Sequence, residues 1–148
     1  MIYEKDRNGS FRRGSTDKPG YETVGVGITG HAKVVRIEFQ PEIISFKTLL
    51  EVFFELHDST TLNRQGADAG TQYRSVILFT NDKQKTEAEK YKNKIPNSNT
   101  EIINLDKFYP AETYHENYYE KNSDYPYCQL VISPKLNKLR QKFENLLS

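Results

Sequence analysis

Residues 58–72, DSTTLNRQGADAGTQ, constrain this chain more than any other stretch, because they carry no apolar period yet stand between an apolar helix and an apolar strand. Loops of about 15 residues with no structure of their own are uncommon inside compact domains and concentrate at functional sites. The side chains here supply hydroxyl, amide, guanidinium and carboxylate groups, and Gly66 and Gly70 permit tight turns. On composition alone the segment is either the wall of a polar pocket or a solvated connection.

The flanking periodicities set the fold around it. Upstream, Phe46, Leu49, Leu50, Phe53 and Phe54 recur at three- and four-residue spacing, which predicts a helix through FKTLLEVFFELHD capped by Ser45. Downstream, YRSVILFT (73–80) predicts a buried strand, and Asn81 or Asp82 then caps a charged helix reaching about Ile95. Only Ala88, Tyr91 and Ile95 form an apolar stripe on that helix, so it belongs on the surface. EIINL predicts a further strand. Val35, Ile37 and Phe39 alternate with Arg36 and Glu38, which predicts a half-buried strand over 31–39 that Pro41 closes. The same alternation through Cys128, Leu130 and Ile132 predicts a last strand. Ser133 and Pro134 then start a helix whose buried side is Leu136, Leu139 and Phe143. Residues 1–20 read as a polar leader. Alternating strands and helices imply a mixed sheet with helices packed against it, an α/β or α+β domain.

Composition narrows the function classes. A chain of 148 residues makes one ordinary domain. Its 1 Cys excludes an internal disulfide framework and any cysteine-rich zinc motif, and favours a reducing, cytoplasmic setting. A net charge of +1 gives no general field for nucleic acid. No apolar run approaches the roughly 20 residues of a membrane span, and MIYEKDRNGS is polar where a signal peptide would be apolar.

Three further sets of side chains could carry chemistry. FYPAETYHENYY places Phe108, Tyr109, Tyr114, His115, Tyr118 and Tyr119 close together, either as a pocket lining or as amphipathic core. His31, His57 and His115 have no recognised ligand spacing, so no metal site is expected. Cys128 is either an inert buried thiol on the face of Leu130 and Ile132 or a redox group.

Taken together, TGHA (29–32), LLEVFFELHD running into TTLNRQGADAGTQYRS (60–75), FYPAETYHENYY (108–119) and YCQLVISPKL (127–136) resemble the A-type peptide methionine sulfoxide reductases, in matching order from about Gly20 onward. The resemblance implies an α+β fold, a ferredoxin-like two-layer sandwich with a mixed sheet and packed helices, in a domain spanning 21–148. It implies reduction of methionine S-sulfoxide, free or in proteins and peptides, by thiol chemistry. In that chemistry a cysteine of a Gly-Cys-Phe-Trp motif attacks the sulfoxide sulfur, and an acid with tyrosine hydroxyls protonates the oxygen, which leaves as water. In many members a second thiol resolves the product as a disulfide that thioredoxin reduces, while others use one thiol and another thiol as external reductant; no bound cofactor is implied.

Residue by residue, Tyr21 and Tyr73 match the family's oxygen-holding tyrosines, Asp68 matches the acid that steadies the pocket, and Cys128 falls where resolving cysteines occur. Two departures stand out. With 1 Cys and 0 Trp the chain holds no Gly-Cys-Phe-Trp motif, and the family's TGHAE reads Thr29, Gly30, His31, Ala32, Lys33 here. A lysine, with an ordinary pKa near 10.4, is a fixed positive charge rather than an acid. The family's first strand and helix also precede the equivalent of Gly20. The expectation is therefore a family member impaired or inactive as a reductase, with three forms: an enzyme using Cys128, a noncatalytic module binding methionine-sulfoxide peptides, or a truncated reading frame. Nucleic acid and membrane are not expected partners.

Overall fold

The computed structural model describes residues 30–110 and 118–144. The leader, Tyr21, Tyr114 and His115 lie outside the described residues, as does the expected domain boundary at residue 21. The chain divides into two compact units, one ending at Pro110 and one beginning at Ala111, each with its own internal packing.

The first unit is built on helix α1 (Phe46–Leu56), the strand β3 (Val76–Phe79), helix α2 (Asp82–Lys92) and strand β4 (Glu101–Asn104). Ser45 caps α1 as expected, its hydroxyl accepting the Thr48 amide at 3.1 Å. Asn81 does the same for α2 through the Gln84 amide at 2.9 Å. The strands pair in parallel, with Ile77 opposite Ile102, so β3–α2–β4 is a crossover unit. Phe46, Leu49 and Leu50 of α1 meet Ile77 and Ala88 in one core, which Phe53, Phe54, Tyr91 and Ile102 extend. Phe54 stacks on Tyr91 at 5.3 Å and ties the two helices together. Ile77 faces this core while Val76 and Leu78, on the opposite face of the strand, are also buried, as a strand covered on both sides requires. The architecture is α+β.

Residues 31–39 correct one expectation. They form no strand, and Val35 is 62% exposed although the alternation assigned it inward. Only Ile37 and Phe39 pack against the core. A period of two describes which side chains can face inward and does not by itself make a strand. Here the backbone amide of Lys33 instead donates to the carbonyl of Gln72 at 2.8 Å.

In the second unit, helix α3 (Tyr118–Asn122) precedes a helical stretch that ends in α4 (Ser133–Lys142). Residues Cys128–Ile132 are a π-helical turn, not the strand the alternation predicts. The cause lies five and six residues after Cys128. Pro134 has no amide to donate, and its ring would collide with the carbonyl one turn back, so the helix widens before it. The Cys128 carbonyl then accepts from the Ser133 amide and from its hydroxyl, the latter at 3.0 Å. Helical rather than two-residue periodicity separates Cys128, which is fully buried, from Leu130, which is 77% exposed. Leu136, Leu139 and Phe143 are half-buried along α4, on the side the sequence predicts.

Candidate functional site

The polar loop is ordered by its own side chains. Asp58 accepts the Thr60 amide at 2.9 Å and the Thr60 hydroxyl at 2.6 Å. These bonds, the hydroxyl's first and the amide's second, favour the ionised carboxylate and hold the Asp58 pKa below its ordinary value. The Gln65 side chain reaches back to donate to the Asp58 carbonyl at 2.8 Å, and the Thr61 hydroxyl donates to the Arg64 carbonyl at 2.7 Å. Between these ties lies a short hairpin of β1 (Arg64–Gln65) and β2 (Asp68–Ala69), turned at Gly66 with φ 58. Gly70 follows with φ 143, and a Cβ there would stand 2.1 Å from the Gln72 side-chain oxygen. Gln72 therefore lies over the glycine, buried, and a 3-10 turn (Thr71–Tyr73) delivers Tyr73 to the start of β3.

The base of the loop is fastened to the core. His57, just beyond α1, lies 2.7 Å from the Ser75 hydroxyl, which is itself 2.7 Å from the buried Thr100 hydroxyl. The Asn99 amide donates to the Ser59 carbonyl at 2.7 Å, and its side chain donates to the Thr60 carbonyl. Arg74 pairs with Glu101 at 3.2 Å. Strand β4 and the turn before it thus hold both ends of the loop.

Tyr73 is half-buried, and the Lys33 ammonium donates to its hydroxyl at 3.3 Å while lying 4.9 Å from the ring centroid. The bond between the Lys33 amide and the Gln72 carbonyl sets these side chains beside each other. His31, two residues before Lys33, is buried and packs T-shaped with Tyr109, ring centroids 5.6 Å apart. Arg36 lies over Phe108 at 5.4 Å. Three contacts thus set side chains of residues 31–36 against the rings of Tyr73, Tyr109 and Phe108, here termed the Tyr73 wall. The Tyr73 hydroxyl and the Lys33 ammonium on it can present hydrogen-bond donors to a ligand oxygen.

Of the residues singled out in the sequence, Asp68 is exposed on β2, and no hydrogen bond joins it to Tyr73 among the described residues. Tyr73 sits on the wall, while Tyr21 lies outside the described residues. Cys128 belongs to the second unit, where its thiol is free of any disulfide and 0% exposed. Among the described residues no group of three or more His, Cys, Asp and Glu side chains could hold a metal ion, and no helix is long and apolar enough to cross a membrane. Sequence reasoning missed the His57–Ser75–Thr100 chain and the burial of Gln72. Neither has a spacing signal in the sequence.

Relatives resemble the chain across most of its length. The family model described as peptide methionine sulfoxide reductase matches residues 5–147. The peptide methionine sulfoxide reductase MsrA of Ruthia magnifica is 54% identical over 129 residues, covering 86% of this chain and 79% of that protein. The MsrA of Sulfolobus acidocaldarius is 46% identical over 143 residues, covering 93% and 81%. Among solved structures, the reduced form of Mxr1 from Saccharomyces cerevisiae superposes with a TM-score of 0.71 at 35% identity, covering 82% of this chain and 70% of that one. The methionine sulfoxide reductase A of Corynebacterium diphtheriae gives 0.65 at 32% identity, covering 76% and 61%. A family match that runs through the polar loop, the Tyr73 wall and the helices that carry them leaves one assignment: this chain belongs to the peptide methionine sulfoxide reductase family.

Proposed function

We propose that this chain recognises methionine S-sulfoxide, in proteins and peptides or free, at the Tyr73 wall, and that its own turnover as a reductase is impaired. The observation that carries the reading is the Lys33–Tyr73 contact: the hydroxyl that the resemblance assigns to the sulfoxide oxygen is held half-buried on an ordered loop, beside an ammonium instead of an acid. A donor pair of this kind suits an oxygen that only accepts hydrogen bonds. Asp68 and Tyr21 are the further residues assigned to this site. Turnover needs a thiolate to attack the sulfoxide sulfur and a proton for the departing oxygen. Lys33 is a poor source of that proton at neutral pH. The chain's one thiol, Cys128, is fully buried and would have to open to meet a substrate.

Any turnover that remains would draw its electrons from thioredoxin or another thiol, in a reducing compartment such as the cytoplasm. The test is to incubate the folded protein with N-acetyl-methionine S-sulfoxide and dithiothreitol, following product by chromatography and binding by calorimetry. Saturable binding with little or no turnover, unchanged in Cys128→Ser, is the expected result. Rapid thiol-dependent turnover that Cys128→Ser abolishes would establish the competing reading, an enzyme whose nucleophile is Cys128.

A further inference from the structure

The chemistry of the Lys33–Tyr73 bond runs in one direction. An ammonium has three N–H donors and no acceptor, so in the 3.3 Å contact the phenol oxygen must accept. The proton of Tyr73 is then left to donate elsewhere. A carboxylate at the same position would reverse this, because an ionised acid only accepts and would draw the phenol proton to itself. The contact is also not a chance meeting of flexible surface groups. Both side chains are half-buried, and the 2.8 Å bond from the Lys33 amide to the Gln72 carbonyl fixes the two backbones side by side.

We infer that Lys33 is a positioning residue that makes Tyr73 an obligate hydrogen-bond donor, and so fits the site to a ligand oxygen that is purely an acceptor, the class to which a sulfoxide oxygen belongs. The inference rests on the sulfoxide-binding reading for its ligand, but the orientation of Tyr73 is a property of the protein alone. It carries a counter-intuitive consequence. An ionised glutamate at position 33 of this chain weakens sulfoxide binding, because Tyr73 then turns its proton to the carboxylate.

The test uses the full chain labelled with ¹³Cζ-tyrosine, the Tyr73 signal being identified by its loss in Tyr73→Phe. Without ligand, Lys33→Met and Lys33→Glu shift that signal and Lys33→Arg, which is also donor-only, leaves it near its wild-type position. On titration with the neutral ligand N-acetyl-methionine S-sulfoxide N-methylamide, Lys33→Met binds roughly fivefold more weakly, as expected for one hydrogen bond, and Lys33→Glu at least as weakly. Lys33→Arg restores most of the affinity. Because Lys33 acts through Tyr73, the losses in Lys33→Met and Tyr73→Phe do not add in the double variant. A Tyr73 signal that is the same in Lys33→Glu as in the wild type overturns the inference, as do additive losses or tighter binding in Lys33→Glu. If the folded wild-type protein binds no sulfoxide while the unliganded shifts appear as stated, the binding reading falls and the orientation of Tyr73 stands.

Discussion

His57 and Ser75 are joined by a 2.7 Å hydrogen bond. The other imidazole nitrogen, Nδ1, lies 2.5 Å from the Phe53 carbonyl, which can only accept, so Nδ1 carries a proton, and in the neutral imidazole Nε2 accepts from Ser75. Ser75 then accepts from Thr100, and Thr100 from Ser98 at 3.1 Å. Removing the central hydroxyl takes that bond from the half-buried His57 and the buried Thr100. Ser75→Ala is expected to lower stability by about 1–3 kcal/mol. Urea unfolding followed by circular dichroism measures this, and an unchanged midpoint would show that the chain of hydroxyls contributes nothing.

Two glycines in the loop separate backbone strain from steric conflict. Gly66 has φ 58 and open space where a Cβ would be, so Gly66→Ala meets only the left-handed penalty, about 1 kcal/mol. Gly70 combines φ 143 with a Cβ position 2.1 Å from the Gln72 oxygen. Gly70→Ala must strain the backbone and displace Gln72, and is expected to cost roughly 2 kcal/mol or more and to weaken ligand binding with it. Equal losses in the two variants would contradict this account of the loop.

Asp58 gives the loop an acid sensitivity of known sign. Its carboxyl pKa is lowered by the Thr60 hydroxyl and amide, so its stabilising contribution is present above the ordinary carboxylate value and is lost as pH falls through the lowered one. Hydrogen exchange at the Thr60 amide, corrected for the intrinsic pH dependence of exchange, is expected to lose protection across that acid range. Asp58→Asn should remove the dependence. Protection that is the same on both sides of the range would count against the assigned bonds.

The burial of Cys128 makes a prediction about reactivity. An enclosed thiol reacts with Ellman's reagent only when the surrounding structure opens, so labelling of the native protein should be slow and labelling in urea immediate. Cys128→Ala should be milder than Cys128→Ser, which buries a hydroxyl in place of a soft apolar sulfur. Rapid native labelling would instead place the thiol at the surface and restore it as a candidate nucleophile.

Much of this was readable from the sequence because it depends on local chemistry. The Ser45 and Asn81 caps, the apolar face of α1, the VILF strand and the thin stripe of α2 each follow from residues within a turn of one another. Residues 31–39 and 128–132 misled for different reasons. The first has the alternation of a strand without forming one, its Lys33 amide going to the Gln72 carbonyl, and the second has an alternation that Pro134 and Ser133 convert into a widened helical turn. At the site, Tyr73 and Lys33 were identifiable singly, through the resemblance and through a departure from it. Their bond was not, since it joins positions 40 residues apart and depends on the fit of residue 33 against the Gln72 carbonyl. The His57–Ser75–Thr100 chain was illegible for the same reason: nothing in spacing announces a contact that only the packing of α1 against the sheet creates.

In the proposed site Tyr73 donates to the oxygen of a bound methionine S-sulfoxide. The decisive measurement is calorimetric titration of N-acetyl-methionine S-sulfoxide N-methylamide into the wild-type protein and Tyr73→Phe, with both shown to be folded. Saturable binding to the wild type is expected, with a loss of roughly fivefold or more in Tyr73→Phe, the scale of one hydrogen bond to a ligand in a partly buried site. Equal affinity in the two proteins, or no binding to the folded wild type, would contradict it.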